Sequence, residues 1–159
     1  MEHFITSAPE PDKTNKDLLA IIQDINTVLS QKISLIDKHI QEHNSETLDL
    51  RADDIFYQTQ GAAYTLHYIL SALVKDYKEQ ILQADQYENL TTALKFLAEA
   101  AKMQPLIVKN ASFTDSYSAN HLAYLAYYLT QAKNNIQEIN QQILMLTLES
   151  QSCISNANE

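Results

Sequence analysis

Apolar residues recur at intervals of three and four along most of the chain, and the runs they form predict four long helices. Thr14 reads as an N-cap with Asp17 in the capping-box position, so the first helix is expected over Asn15 to His43. Its stripe is Leu18, Ile22, Ile25, Leu29, Ile33, Ile36 and Ile40. Ile21, Val28 and Leu35 widen that stripe enough to meet two neighbours. A polar link over Asn44 to Leu50 follows, and Asp53 or Asp54 is expected to start a second helix that runs to about Leu82. Its predicted core face is Ile55, Thr59, Ala62, Leu66, Ile69, Leu70, Leu73 and Tyr77. The third helix is expected over Gln86 to Met103, with Leu90, Ala93, Leu94, Leu97 and Ala101 inside and Pro105 marking its end.

The last helix has the clearest pattern. Leu125, Leu129, Ala132, Ile136, Ile139, Ile143 and Leu146 alternate spacings of four and three, a seam of the coiled-coil type. Before it, Gln104 to Ser116 carries Leu106, Ile107, Val108 and Phe113, too apolar for a free loop, so this connection is expected to pack across the helices. The fold these elements predict is all-α: an antiparallel four-helix bundle with long helices and a packed irregular connection before the last one. It would occupy residues 14–149, between a flexible arm (1–13) and a polar, frayed tail (150–159).

Composition narrows the function classes. At 159 residues the chain is one domain by length, and one glycine, three prolines and 45% hydrophobic residues favour helices over a turn-rich β fold. The formal net charge is −9 and the basic residues are scattered, which argues against nucleic acid as a partner. Cys153 is the one cysteine and has no disulfide partner. No apolar run approaches the roughly 20 residues that span a bilayer, and MEHFITSAPEPDKTNKD lacks the parts of a signal peptide. A cytoplasmic protein is the expectation; a periplasmic or membrane-associated one follows if an N-terminal anchor has been removed.

The reverse side of the second helix changes the picture again. Where charge is expected, it carries Tyr57, Gly61, Tyr64 and Tyr68 at spacings of four, three and four, so the helix is apolar in front and aromatic behind. Glycine inside a helix costs about 1 kcal/mol relative to alanine, which asks for a compensating gain. Two readings fit: a tight helix crossing within this domain, or a notch between rings that admits another backbone or a ligand. The last helix begins with a similar set, Tyr117, His121, Tyr124, Tyr127 and Tyr128, in which Tyr117, Tyr124 and Tyr128 repeat the spacing of Tyr57, Tyr64 and Tyr68. The two ladders are expected to approach each other around His67 or His121 as a polar aromatic pocket; the plainer alternative is tyrosine burying area while its hydroxyl stays wet.

Catalytic chemistry finds little support. His39, Glu42 and His43 match the H-x-x-E-H string of inverted zinc proteases, but a third ligand is missing, and two surface histidines near a helix C-terminus account for the string as well. Inward Glu-x-x-His pairs are absent, one glycine cannot build a phosphate loop, and Cys153 has no base beside it. No enzyme activity, metal or cofactor is expected.

From Arg51 onward the order of residues resembles an uncharacterised proteobacterial family with a helical C-terminal domain. The matching positions are Arg51, Asp53-Asp54-Ile55-Phe56-Tyr57, Gly61, Tyr64, Leu66, Leu70, Ala72 and Asp76, then Asn110 to Ser112, Asn120-His121-Leu122-Ala123 and Ala132; the resemblance reaches about Leu146. Longer members look like envelope proteins with an N-terminal membrane anchor, a segment this sequence does not contain. The resemblance implies the helical fold and no activity. The expected function is therefore a non-enzymatic interaction module, a bacterial adaptor or accessory subunit, envelope- or secretion-associated. It would dock another protein, or a second copy of itself, through Tyr57, Gly61, Tyr64 and Tyr68 or through His121, Tyr124 and Tyr128. The alternative is a small-molecule or metal-binding bundle built on the tyrosine and histidine end.

Overall fold

The computed structural model describes residues 15–43, 50–105, 108 and 120–156, and of Leu50 and residues 150–156 the backbone alone. Five helices account for it: α1 (Asn15–His43), α2 (Leu50–Asp76), α3 (Lys78–Gln83), α4 (Tyr87–Lys102) and α5 (His121–Asn156). No strand occurs among the described residues. The first helix and the third predicted helix stand where their periodicity put them, whereas Thr14 and Tyr117 lie outside the described residues.

α5 is the organising element. It packs along both α1 and α4, while α4 packs along α2 and α2 touches α1 and α5 more lightly. The predicted seam supplies its contact: Leu125, Leu129, Ala132, Ile136, Ile139 and Ile143 are buried, joined by Leu122 and Ala126. Asn120 starts this helix, its side-chain oxygen accepting from the Ala123 N–H at 2.9 Å and its carbonyl from Tyr124 N–H at 3.1 Å. The backbone stays helical to Asn156, beyond the boundary at residue 149 that the polar composition suggests.

The second predicted helix is corrected in three respects. It starts at Leu50, before either aspartate, and it breaks at Tyr77, whose φ of −118° and ψ of 29° leave the helical region. The break lets α3 turn Ile81 into the core, where Tyr77 and Ala84 are also buried. α3 ends in a Schellman turn: Gln86 N–H reaches Ile81 O and Asp85 N–H reaches Leu82 O, both at 3.1 Å, with Asp85 at φ 52°. The core face of α2 is also rotated from the predicted stripe. Ala52, Phe56, Thr59, Ala63, Leu66, Leu70, Leu73 and Tyr77 are buried, while Ile55 and Ala62 are half-buried and Ile69 is exposed. Of the apolar connection after α4, Val108 is buried at 7% exposure; Leu106, Ile107 and Phe113 lie outside the described residues.

Candidate functional site

Rotating the core face of α2 toward Phe56 turns the opposite side of the helix outward. Tyr57, Tyr64 and Tyr68 are 49%, 56% and 60% exposed. Gly61 lies among them, also exposed, and a Cβ built there meets nothing within 4 Å. No described backbone or side chain comes close enough to need a glycine here, so a tight crossing between the described helices does not account for it.

The three tyrosines divide into two groups. Tyr64 and Tyr68 lean on each other, ring centroids 4.9 Å apart and tilted by 55°, and the Tyr64 hydroxyl donates to the Tyr68 hydroxyl at 3.3 Å. That hydrogen bond, with the Coulombic effect of Tyr68, raises the Tyr64 phenol above its usual value of 10.0. Tyr57 instead works inside the molecule, donating to Pro105 O at 3.1 Å.

Tyr57 belongs to a row that the sequence did not single out. Asp53, Tyr57 and Gln60 follow one another down one edge of α2 and grip the chain as it leaves α4. Asp53 Oδ1 accepts from Val108 N–H at 3.3 Å, and Gln60 Nε2 donates to Ala101 O at 3.0 Å and also to Met103 O. Those carbonyls are among the last of α4 and its exit, which have no partner within the helix, so Gln60 caps α4 from a neighbouring element. Nothing local in the sequence signals this, because both ends of each bond lie more than forty residues apart.

The described members of the two tyrosine ladders do not meet. Tyr127 and Tyr128 of α5 pack on Phe96 of α4, with centroids 6.4 and 6.5 Å away, while His67 of α2 has its edge contact with the adjacent Tyr68. Tyr124 is exposed, and Tyr128 and His121 are half-buried, His121 being engaged in an interaction of its own. Among the described residues no ring of α2 touches a ring of α5, and Tyr117, a member of the expected pocket, lies outside them. A separate open cleft of about 330 Å³ lies between α1 and α5, lined by Asp37, Ile40 and Gln41 on one side and Ala123, Ala126, Tyr127 and Thr130 on the other.

The histidine string resolves as packing. His39 is 5% exposed rather than a surface residue, its ring stacks on His43 at 4.6 Å, and His43 Nδ1 lies 3.3 Å from His39 O. A carbonyl can only accept, so Nδ1 carries the proton of that contact. Among the described residues no group of three His, Cys, Asp or Glu side chains is placed to hold a metal ion, and no helix is long and apolar enough to cross a membrane.

Residues 17–145 match a family model described as an uncharacterized protein conserved in bacteria (DUF2333). No curated protein and no solved structure matches the chain.

Proposed function

The chain belongs to the bacterial family DUF2333, and on that premise we propose that it is a non-enzymatic protein–protein interaction module, an adaptor or accessory subunit that docks through the outward side of α2. The observation that carries the reading is Gly61. It costs the helix about 1 kcal/mol, it lies between exposed tyrosines, and nothing in the described chain approaches it. A glycine that no described residue approaches is accounted for by a backbone or ring that arrives from outside. Tyrosine suits the rest of the face, since a rigid ring with a polar tip gives large contact area at low entropy cost and tolerates water when unbound.

The helix contacts support an antiparallel four-helix bundle as the scaffold for this face. Gln60 of α2 meets the end of α4, and the last turns of α1 lie against the first turns of α5, as alternating directions require. In such a bundle the stripe of α2 points away from the shared core. The resemblance to anchored envelope proteins supports a partner in an envelope- or secretion-associated complex.

A photo-crosslinking residue in place of Tyr64 tests the reading in the native bacterium, with the same probe at exposed Gln141 as control. One dominant adduct is expected from position 64 and none of the same mass from 141. Gly61→Leu should abolish that adduct without loss of helical content and with a melting temperature no lower than the parent's, because its side chain enters open space and relieves the cost of a helical glycine. Equal adducts from both probes, or an adduct that survives Gly61→Leu, would overturn it.

A further inference from the structure

The outward face of α2 is patterned end to end, and the pattern says which partner fits it. Asp54, Gly61, Tyr68 and Lys75 follow one another at seven-residue intervals, so they lie on one stripe, with Tyr57 and Tyr64 interleaved three residues after Asp54 and Gly61. Every one of these six is exposed. Asp54 closes one end of the stripe and Lys75 the other, about 31 Å apart at the helical rise. Neither forms an ion pair with a described residue, although Lys38 with Glu42 and Lys102 with Glu99 do so on other helices. The seven-residue row thus has an acid at one end, a base at the other, and between them one missing side chain, at Gly61, and one large ring, at Tyr68.

Such a face is complementary to itself when reversed. We propose that α2 pairs antiparallel with α2 of a second copy of this chain about a two-fold axis near Tyr64 and Thr65. The register that sets Asp54 level with Lys75 of the second copy also sets Gly61 level with its Tyr68, and symmetry repeats both contacts. The ring of Tyr68 then lies on the bare backbone at Gly61, where a Cβ is lacking. A parallel pairing would instead put Asp54 on Asp54, Lys75 on Lys75 and Gly61 on Gly61, setting like charge against like and void against void. The order of residues therefore selects direction as well as face. Each copy carries a net charge of −9, which opposes association at long range. At physiological ionic strength, however, the Debye length is about 8 Å, so the contacts within the stripe outlast the repulsion between distant surfaces.

This inference rests on the reading of α2 as a docking face and names its occupant. Sedimentation velocity of the full chain over a range of concentrations, at physiological salt, tests it together with the crosslinker at position 64. A concentration-dependent dimer is expected, with a chain-to-chain adduct from that position. Asp54→Lys and Lys75→Asp should each weaken the dimer about tenfold, since each turns two attractive contacts into repulsive ones. The double exchange should return the dissociation constant to within about threefold of the parent, a rescue that general damage to the fold cannot produce. A chain that stays monomeric while the position 64 probe captures a different protein would overturn the self-pairing and leave the docking face standing. A dimer indifferent to both charge exchanges, with no adduct from position 64, would overturn both. A dimer weakened by the single exchanges but not restored by the double one would overturn the antiparallel register.

Discussion

Gly61 is a test of what a residue costs when no described neighbour repays it. Its φ is not positive and a Cβ there meets nothing within 4 Å, so alanine fits without strain. Gly61→Ala should stabilise the dilute chain by about 1 kcal/mol, seen as a rise of roughly 2–4 °C in melting temperature; an unchanged or lower value would mean that a contact here does require glycine. Asp85 is the opposite case, a side chain held at φ 52° where glycine is the favoured residue. Asp85→Gly should therefore stabilise by about 1 kcal/mol in denaturant titration. Tyr64 titrates late because its proton is shared with Tyr68. A folded-state pKa above the unfolded one means that the stabilisation is fully present below the unfolded value of about 10 and is lost as pH rises through the folded value. Followed by tyrosinate absorbance against pH, Tyr68→Phe should remove the latest part of the parent's titration, since it removes the hydrogen bond that holds the Tyr64 proton. The presence of Gly61 and these rings on one stripe was legible in the sequence, since helical spacing alone decides it. Whether that stripe was inside or outside was not, because both sides of α2 are apolar and periodicity then loses the contrast that fixes its phase.

At the scale of elements, the long regular helices were readable and their interruptions were not. α1 and α5 have one strongly apolar side, and the seam of α5 held at each position from Leu125 to Ile143. α2 with its two apolar sides was placed with a rotated face, so Phe56 was missed and Ile69 was put inside. The break at Tyr77 carries no glycine or proline to mark it; it follows from burying Tyr77, Ile81 and Ala84 together, a tertiary demand. The grip of α2 on the exit from α4 is of the same kind, joining Asp53 to Val108 and Gln60 to Ala101. Gln60→Ala removes the donor that serves two carbonyls at the end of α4. It should cost about 1–2 kcal/mol and speed amide hydrogen exchange from Ala101 to Val108, with little change in the middle of α5. A uniform change across all helices would mean that Gln60 acts on the core and not as a cap.

For the whole molecule, the sequence supplied faces but not neighbours. Two tyrosine ladders of equal spacing invited a shared pocket, yet Tyr127 and Tyr128 pack onto Phe96 of α4, and no described ring of α5 reaches a ring of α2. Which helices touch depends on the summed burial of every face, which no single motif encodes. Charge is a property of the same scale. The chain holds 20 acidic against 11 basic side chains. Ion pairs such as Lys38 with Glu42 and Lys102 with Glu99 lie on the surface within single helices. Pairs of that kind contribute about 0.3–0.5 kcal/mol each, whereas repulsion among the excess carboxylates acts over the whole folded shape and relaxes on unfolding. Screening should therefore help the folded state more than it harms it. Raising the salt from about 10 mM to about 150 mM shortens the Debye length from about 30 to about 8 Å. The melting temperature of the dilute chain should rise over that interval and level off when screening reaches the spacing of neighbouring charges. A fall would mean that local attractions outweigh the net charge, and the acidic surface would then have to be counted as a set of specific contacts and not as a field.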